Sequence, residues 1–243
     1  MKYAVISDIH GNMQALNAVL EHITQQKVDH ILCLGDLAMA GPEPDKAVDF
    51  IKTQNWQIIQ GNTDNMIAGY SEYLFENLKQ KAPVMANALK YDVSEIKQEN
   101  IEFLANLPKN IELSLEGVKI LLVHGSPRKQ DENIFPNLSD EEVTQMTSNT
   151  DANLILCGHT HIPCGYQLKN KKTVVNVGSV GRPFTDKPLS CYAIVNFENG
   201  GFEVEHHYVD YDKNEASEIL KLRNFNGSDK LAKMLINPVE RHI

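Results

Sequence analysis

Tyr3-Ala4-Val5-Ile6-Ser7-Asp8-Ile9-His10-Gly11-Asn12 opens the chain with an apolar run that ends abruptly in polar residues. Tyr3 to Ser7 has the length and the branched, aromatic character of a buried strand. Asn12 to Gln26 follows, with apolar side chains at 13, 16, 19, 20 and 23, the recurrence of one helix face. His30 to Leu34 is a second buried strand, Glu43 to Gln54 a helix, and Gln57 to Gln60 a third strand. This order is βαβαβ. Crossovers between parallel strands are right-handed, so the pattern predicts a parallel sheet with helices packed on it.

Residues 62 to 107 carry no strand signal and read as a mainly helical insertion, a lid or an added layer. The remainder is richer in strands: Ile111 to Leu115, Val118 to Val123, Leu154 to Leu156, Gly165 to Leu168, Thr173 to Asn176, Cys191 to Phe197 and Phe202 to Tyr208. Ser139 to Ser148 is a helix in which Ser139 and Glu142 fit a capping box. Glu198-Asn199-Gly200-Gly201 is a hairpin turn. The stretch after Asp212 is helical packing or a tail. The sum is an α/β fold of two mixed sheets with helices outside, in a single domain over 1–243.

The chain has 243 residues, enough for a core that needs no disulfide staples. No run approaches the roughly 20 apolar residues that span a bilayer. The N-terminus lacks the form of a signal peptide, so a cytoplasmic protein is expected. The formal charge of -9 argues against nucleic acid as a partner. A small molecule is the expected partner, no membrane is, and an oligomer is compatible with the sequence. Cys33, Cys157, Cys164 and Cys191 fit free thiols. Cys157 and Cys164 flank Gly158-His159-Thr160-His161, which admits a zinc reading, but without knuckle spacing.

Five motifs share one design, in which an apolar strand runs into polar residues. They are Ser7 to Asn12, Leu34-Gly35-Asp36, Gln60-Gly61-Asn62-Thr63-Asp64, Val123-His124-Gly125-Ser126-Pro127 and Cys157 to His161. Ligands bind outside the carboxyl ends of strands in such sheets, so the motifs should gather at one edge. They supply carboxylate oxygens, an amide oxygen and imidazoles, a set suited to Zn, Fe or Mn. Each motif alone has a plain structural reading: Asp36 as a turn residue, Asn62 as a helix cap, His124 as a core histidine. Five such coincidences at strand ends are a poorer account than one metal centre.

The motifs SDIHGN, LGDLAMAGP, GNTD, LVHGSP, CGHTHIP and VNVGSVGRP together resemble the calcineurin-like metallophosphoesterases, most closely their small bacterial branch. The resemblance spans Asp8 to about Tyr192 and implies a four-layer sandwich of two mixed β-sheets flanked by helices. It implies that Asp8, His10, Asp36 and His161 hold one divalent transition-metal ion (Mn, Fe or Zn). Asp36, Asn62, His124 and His159 would hold a second, with Asp36 bridging. In the family such a pair, about 3.5–4 Å apart, clamps a phosphoryl group while the shared hydroxide attacks phosphorus. The implied activity is hydrolysis of a soluble phosphate ester, as phosphatase or phosphodiesterase.

The departure from the family is Thr63, which stands where a histidine usually helps protonate the leaving oxygen. Threonine is no general acid near neutral pH, although its hydroxyl can donate to a phosphate oxygen. Loss of such an acid costs about 10²–10⁴ in rate on leaving groups that need a proton, which favours diesters over monoesters. Asp64 would ordinarily orient the missing histidine; its alternatives are ordering a water or capping the next helix. Asp36, Asn62, Thr63 and Asp64 are thus the candidate catalytic residues. Arg128 and Arg182 are candidate phosphate ligands, against the plainer reading of salt-bridged loop residues. Asn12 is a third, against capping the first helix. His22, His30, His206, His207 and His242 lie outside the motifs and read as surface or sheet residues. The rival from another class is a catalytically weak or inactive metal-binding scaffold for protein–protein interaction, which Thr63 keeps in view.

Overall fold

The computed structural model describes residues 1–238. Strand β1 (Lys2–Ile6) shows how the layers arise. Its successive side chains point to opposite faces. Tyr3 and Val5 enter the apolar layer between two sheets. Ala4 and Ile6 enter the layer beneath the helices. Both sets are buried, so a slip of one residue would exchange them, and this pins the register.

The first sheet adds β2 (His30–Cys33) and β3 (Gln57–Ile58), each parallel to its neighbour. The expected parallel core is present. The long hairpin β9 (Ser190–Glu198) and β10 (Gly201–Val209) continues the sheet antiparallel to β1. The strand order is therefore β10-β9-β1-β2-β3. Asn199 and Gly200 both have positive φ, 54° and 76°, as a two-residue type I′ turn requires. The third strand is shorter than the sequence predicts. Beyond Ile58 one further bond to β2 remains, Ile59 N to Cys33 O at 3.0 Å, and the Gln60 amide, on the other side of the chain, donates to Pro108 O.

The second sheet has the order β4-β5-β6-β8-β7, built from Asn110–Leu115, Val118–Val123, Leu154–Cys157, Thr173–Asn176 and Cys164–Gln167 respectively. β5, β6 and β8 are parallel and the edges antiparallel. Its inner face (Ile120, Leu122, Leu154, Leu156, Val175) meets the inner face of the first sheet. Its outer face (Leu121, Ile155, Val174) packs on Val143 and Met146 of α7 (Asp140–Met146). Three apolar layers thus separate four structural ones. The Ser139–Glu142 capping box of α7 is formed. The outer layer of the first sheet comprises α1 (Met13–Gln25) and α2 (Pro44–Ile51), with α8 (Lys213–Leu222) and α9 (Ser228–Ile236) beside α1. Four helices join β3 to β4: α3 (Asn62–Ala68), α4 (Glu72–Lys81), α5 (Pro83–Glu95) and α6 (Gln98–Asn106). Among the described residues no helix is long and apolar enough to cross a membrane.

One buried carboxylate joins the ends of β2 and β3. Asp64, wholly inaccessible, accepts from three backbone amides: Asp36 N at 2.8 Å and Gly61 N at 2.9 Å through Oδ2, and Leu37 N at 2.8 Å through Oδ1. The turns are in direct contact, since a Cβ on Gly61 would stand 2.1 Å from Asp36 Oδ1. Asp64→Asn replaces one acceptor with a donor facing an N–H. The expected loss is about 1–3 kcal/mol of unfolding free energy, read by denaturant titration. Unchanged stability would show that the three amides have no energetic need of the carboxylate.

Candidate metal centre

The five polar motifs do gather at one edge. Asp8 and His10 follow β1, Asp36 follows β2, Asn62 opens α3 after β3, His124 follows β5, and His159 and His161 follow β6. The chain must turn sharply there to aim side chains back over the strand ends. Asp8, His10, Asp36, His159 and His161 all have positive φ, between 48° and 68°. These five are among eleven such non-glycine residues in the described chain. Each costs of order 1–3 kcal/mol and persists only where the surroundings hold it. Backbone bonds between the turns do so: Asp8 N to Gly35 O (3.0 Å), His10 N to Asp36 O (2.9 Å) and Gly11 N to Leu37 O (2.8 Å). Asp8 Oδ2 accepts from His159 N at 3.0 Å and so ties the two sheets together.

The imidazoles are fixed by carbonyls. His10 Nδ1 lies 2.7 Å from Met39 O, His124 Nδ1 2.7 Å from Leu34 O, and His161 Nδ1 2.5 Å from Arg182 O. A carbonyl oxygen only accepts, so each Nδ1 carries the hydrogen. Each Nε2 is thereby turned inward, the usual arrangement of metal-ligating histidines. His10 Nε2 and His161 Nε2 face each other at 3.2 Å. Asp8 Oδ1 is 3.1 Å from His161 Nε2, and it is buried with no hydrogen-bond donor. Asp36 Oδ2 lies between His10 Nε2 (3.7 Å) and His124 Nε2 (3.4 Å). Asn62 Oδ1 is 3.0 Å from His124 Nε2.

This donor set fits a cation. Ligand atoms of Asp8, His10, Asp36 and His161 all lie within 4.8 Å of one another. Facing lone pairs and an orphaned carboxylate oxygen are unfavourable in a buried site unless positive charge stands among them. The converging group contains no cysteine, and the four thiols are free. His159 sits at the rim, half-buried, with its ring centroid 5.3 Å from that of His124.

The electrostatics express the same need. Burial pushes the Asp8 carboxyl up, but the His161 and His124 imidazoles outweigh it and hold it at about 2. Burial likewise opposes ionisation of Asp36, which His124 and His10 nonetheless keep well below the usual carboxylate range. Burial, then His161, pushes His10 down to about 4. Burial, then His124, does the same to His159. His124 moves the other way. Burial disfavours its charge, yet the Asp36 and Asp8 carboxylates raise it to about 10.

The other candidates divide. Thr63 is buried, its amide donates to Asp36 Oδ1 at 2.8 Å, and its hydroxyl has no partner. Asp64 spends both oxygens on the backbone and is pushed up to about 7 by burial and the Asp36 charge. Its geometry is that of an anchor for the Asp36 turn, the capping alternative extended to a second loop. Asn12 is wholly buried; Oδ1 accepts from Ala15 N (3.1 Å), and Nδ2 donates to Gly181 O (2.9 Å). It caps α1. Arg128 is paired with Glu132 through both Nε and a terminal nitrogen at the surface. Arg182 lies beside the centre. Its guanidinium is 5.5 Å from the Phe184 ring, which stacks on His161 with centroids 4.8 Å apart.

Two supporting residues have no sequence signal of their own. Phe184 is one. Asn176, fully buried, donates to Gly158 O (2.6 Å) and Thr160 Oγ1 (2.9 Å), and so braces the His159–His161 turn. It sits in VNVGSVGRP, quoted above without a role. Of the outlying histidines, His22 meets the Tyr192 hydroxyl, His30 is exposed, and His206 donates to Asn176 O. His207 stacks on Tyr192, and His242 lies outside the described residues.

Comparison with known proteins bears on the family and the fold. An uncharacterized protein of Methanocaldococcus jannaschii is 33% identical over 231 residues, covering 88% of this chain and 90% of its own. A crystal structure of a metallophosphoesterase from Sphaerobacter thermophilus superposes with a TM-score of 0.77 at 25% identity, over 97% of this chain and 98% of that one. A hypothetical protein of Pyrococcus horikoshii shares the fold, with a TM-score of 0.87 at 24% identity over 99% of both chains. Residues 1–200 match the calcineurin-like phosphoesterase superfamily domain, and the chain belongs to that family.

Proposed function

We propose that this chain is a metal-dependent phosphoesterase acting on a soluble phosphate ester, with diesters favoured over monoesters. The observation that carries the reading is the inward turn of three Nε2 atoms onto Asp8 Oδ1 and Asp36 Oδ2. Asp8, His10, Asp36 and His161 would hold one divalent cation. Asp36, Asn62, His124 and His159 would hold the other. When bound, such a pair neutralises phosphate charge and activates water at neutral pH.

The protein's own groups then set which esters react well. Asp36 would contribute to both positions. Thr63 Oγ1 has no partner and can donate one hydrogen bond to a phosphate oxygen. It cannot deliver a proton to a poor leaving group. A diester with an acidic leaving group needs no such proton, which is the ground for the preference. The Arg182 guanidinium lies over Phe184 beside the centre and can meet a further phosphate oxygen bidentately. Arg128 is exposed at the surface and carries less weight. The scaffold reading draws on Thr63 alone, and retention of the full ligand set speaks against it.

Purified chain with Mn²⁺ should hydrolyse bis-p-nitrophenyl phosphate faster than p-nitrophenyl phosphate, and Asp36→Ala should abolish both activities. A metal-loaded chain inactive on a broad ester panel would sink the reading, and a tenfold preference for the monoester would reverse the substrate order. Thr63→His should raise turnover of alkyl monoesters by about 10²-fold while changing aryl diesters little, the pattern of a restored general acid. A uniform gain on both would show that threonine limits binding rather than proton delivery.

A further inference from the structure

Helix α5 reaches both loops that aim His10 and His161. Asp92 on this helix is wholly inaccessible. Its Oδ2 accepts from Ala40 N at 2.8 Å, and its Oδ1 lies 2.7 Å from a terminal nitrogen of Arg223. Arg223 also donates to Gly41 O at 2.8 Å, and its guanidinium packs on Tyr91 and Phe225, 4.9 and 5.6 Å from their centroids. The peptide groups of Ala40 and Gly41 are thus held on the N–H side and the C=O side. Ala40 itself has φ of 65°, a conformation that needs such support.

The preceding carbonyl, Met39 O, takes the Nδ1 hydrogen of His10. There is no slack between loop and ligand, because a Cβ on Gly41 would stand 1.4 Å from His10 O. The same helix carries Met85, whose sulfur accepts from Arg182 Nη1 at 3.4 Å. Arg182 O takes the Nδ1 hydrogen of His161. His124 is aimed differently, by Leu34 O of the sheet and Asn62 Oδ1 of α3. A buried Asp–Arg pair gains little over apolar packing, since desolvation offsets its attraction. What an apolar pair cannot do is accept from Ala40 N and donate to Gly41 O.

We infer that Asp92 and Arg223 are positioning residues for one metal position, that of Asp8, His10 and His161, and that they act through the Met39–Gly41 loop. The inference rests on reading the centre as a two-metal site. Groups that orient ligating histidines typically change metal affinity by about 10–100-fold when lost. The effect here should be confined to one of the two ions.

Calorimetric titration of the full-length chain with Mn²⁺ in two backgrounds separates the positions. In His159→Ala, which removes a ligand of the other position, Asp92→Asn or Arg223→Lys should weaken the remaining ion by about tenfold or more. In His161→Ala the same changes should leave the remaining ion unmoved. Melting of the metal-free variants checks folding. Arg223→Lys keeps the charge and carries the test alone if Asp92→Asn does not fold. Equal weakening in both backgrounds, or none in either, would overturn the inference. A wild-type chain that takes up fewer than two ions would overturn the two-metal reading beneath it.

Discussion

Two carboxylates, Asp8 and Asp36, are buried at the meeting point of both sheets, and the rest of the site follows from holding them ionised there. An isolated carboxylate would protonate rather than accept that burial. These do not, because imidazoles and backbone amides surround them. Asp36 Oδ1 accepts from Thr63 N, and Asp8 Oδ2 accepts from His159 N. One oxygen of each is thus satisfied by the protein. The other, Asp8 Oδ1 or Asp36 Oδ2, is left to face the inward Nε2 atoms. That split, one oxygen for structure and one for a ligand, explains why the turns must be left-handed. With that backbone the amides of residues 8, 10, 36 and 159 bond between loops.

The candidate ligands stood out in the sequence because each lies within a few residues of a strand signal. A run such as Tyr3 to Ile6 declares its own end, and the polar residues beyond it stand out. The layers were legible for the same reason: period-two burial in β1 and a helix stripe on α1. Residues whose meaning depends on distant backbone were not. Asp64 is two positions from Asn62, yet its partners include the amides of residues 36 and 37. No local pattern announces that. Asn12 was legible as a cap and also looked like a phosphate ligand; its burial and the bond to Gly181 O favour the cap.

The helices between β3 and β4 give the first sheet's edge a task it lacks alone. β3 is only two residues long and supplies little edge. The segment that follows wraps back through α3, where Asp64 fixes the Asp36 turn, and α5, where Asp92 meets the Ala40 amide. Arg223, beyond α8, completes the contact from the other end of the chain. Sequence-distant segments therefore converge on one loop, residues 36 to 41. A loop so heavily tied is a poor candidate for a moving lid and a good one for a rigid template.

Rigidity of that kind bears on how Thr63 is understood. Its amide belongs to the Asp36 network, while its buried hydroxyl has no protein partner. Thr63 does not cap α3, whose N-cap is Gly61 with Asp64 completing the capping box, so its hydroxyl has no capping task to perform. Threonine is also β-branched and loses little rotamer freedom when held. In the function proposed above, the hydroxyl would serve as a fixed donor to substrate. A fixed donor that is not an acid can hold a phosphate oxygen in one orientation, leaving the leaving group's own acidity to decide how readily it departs.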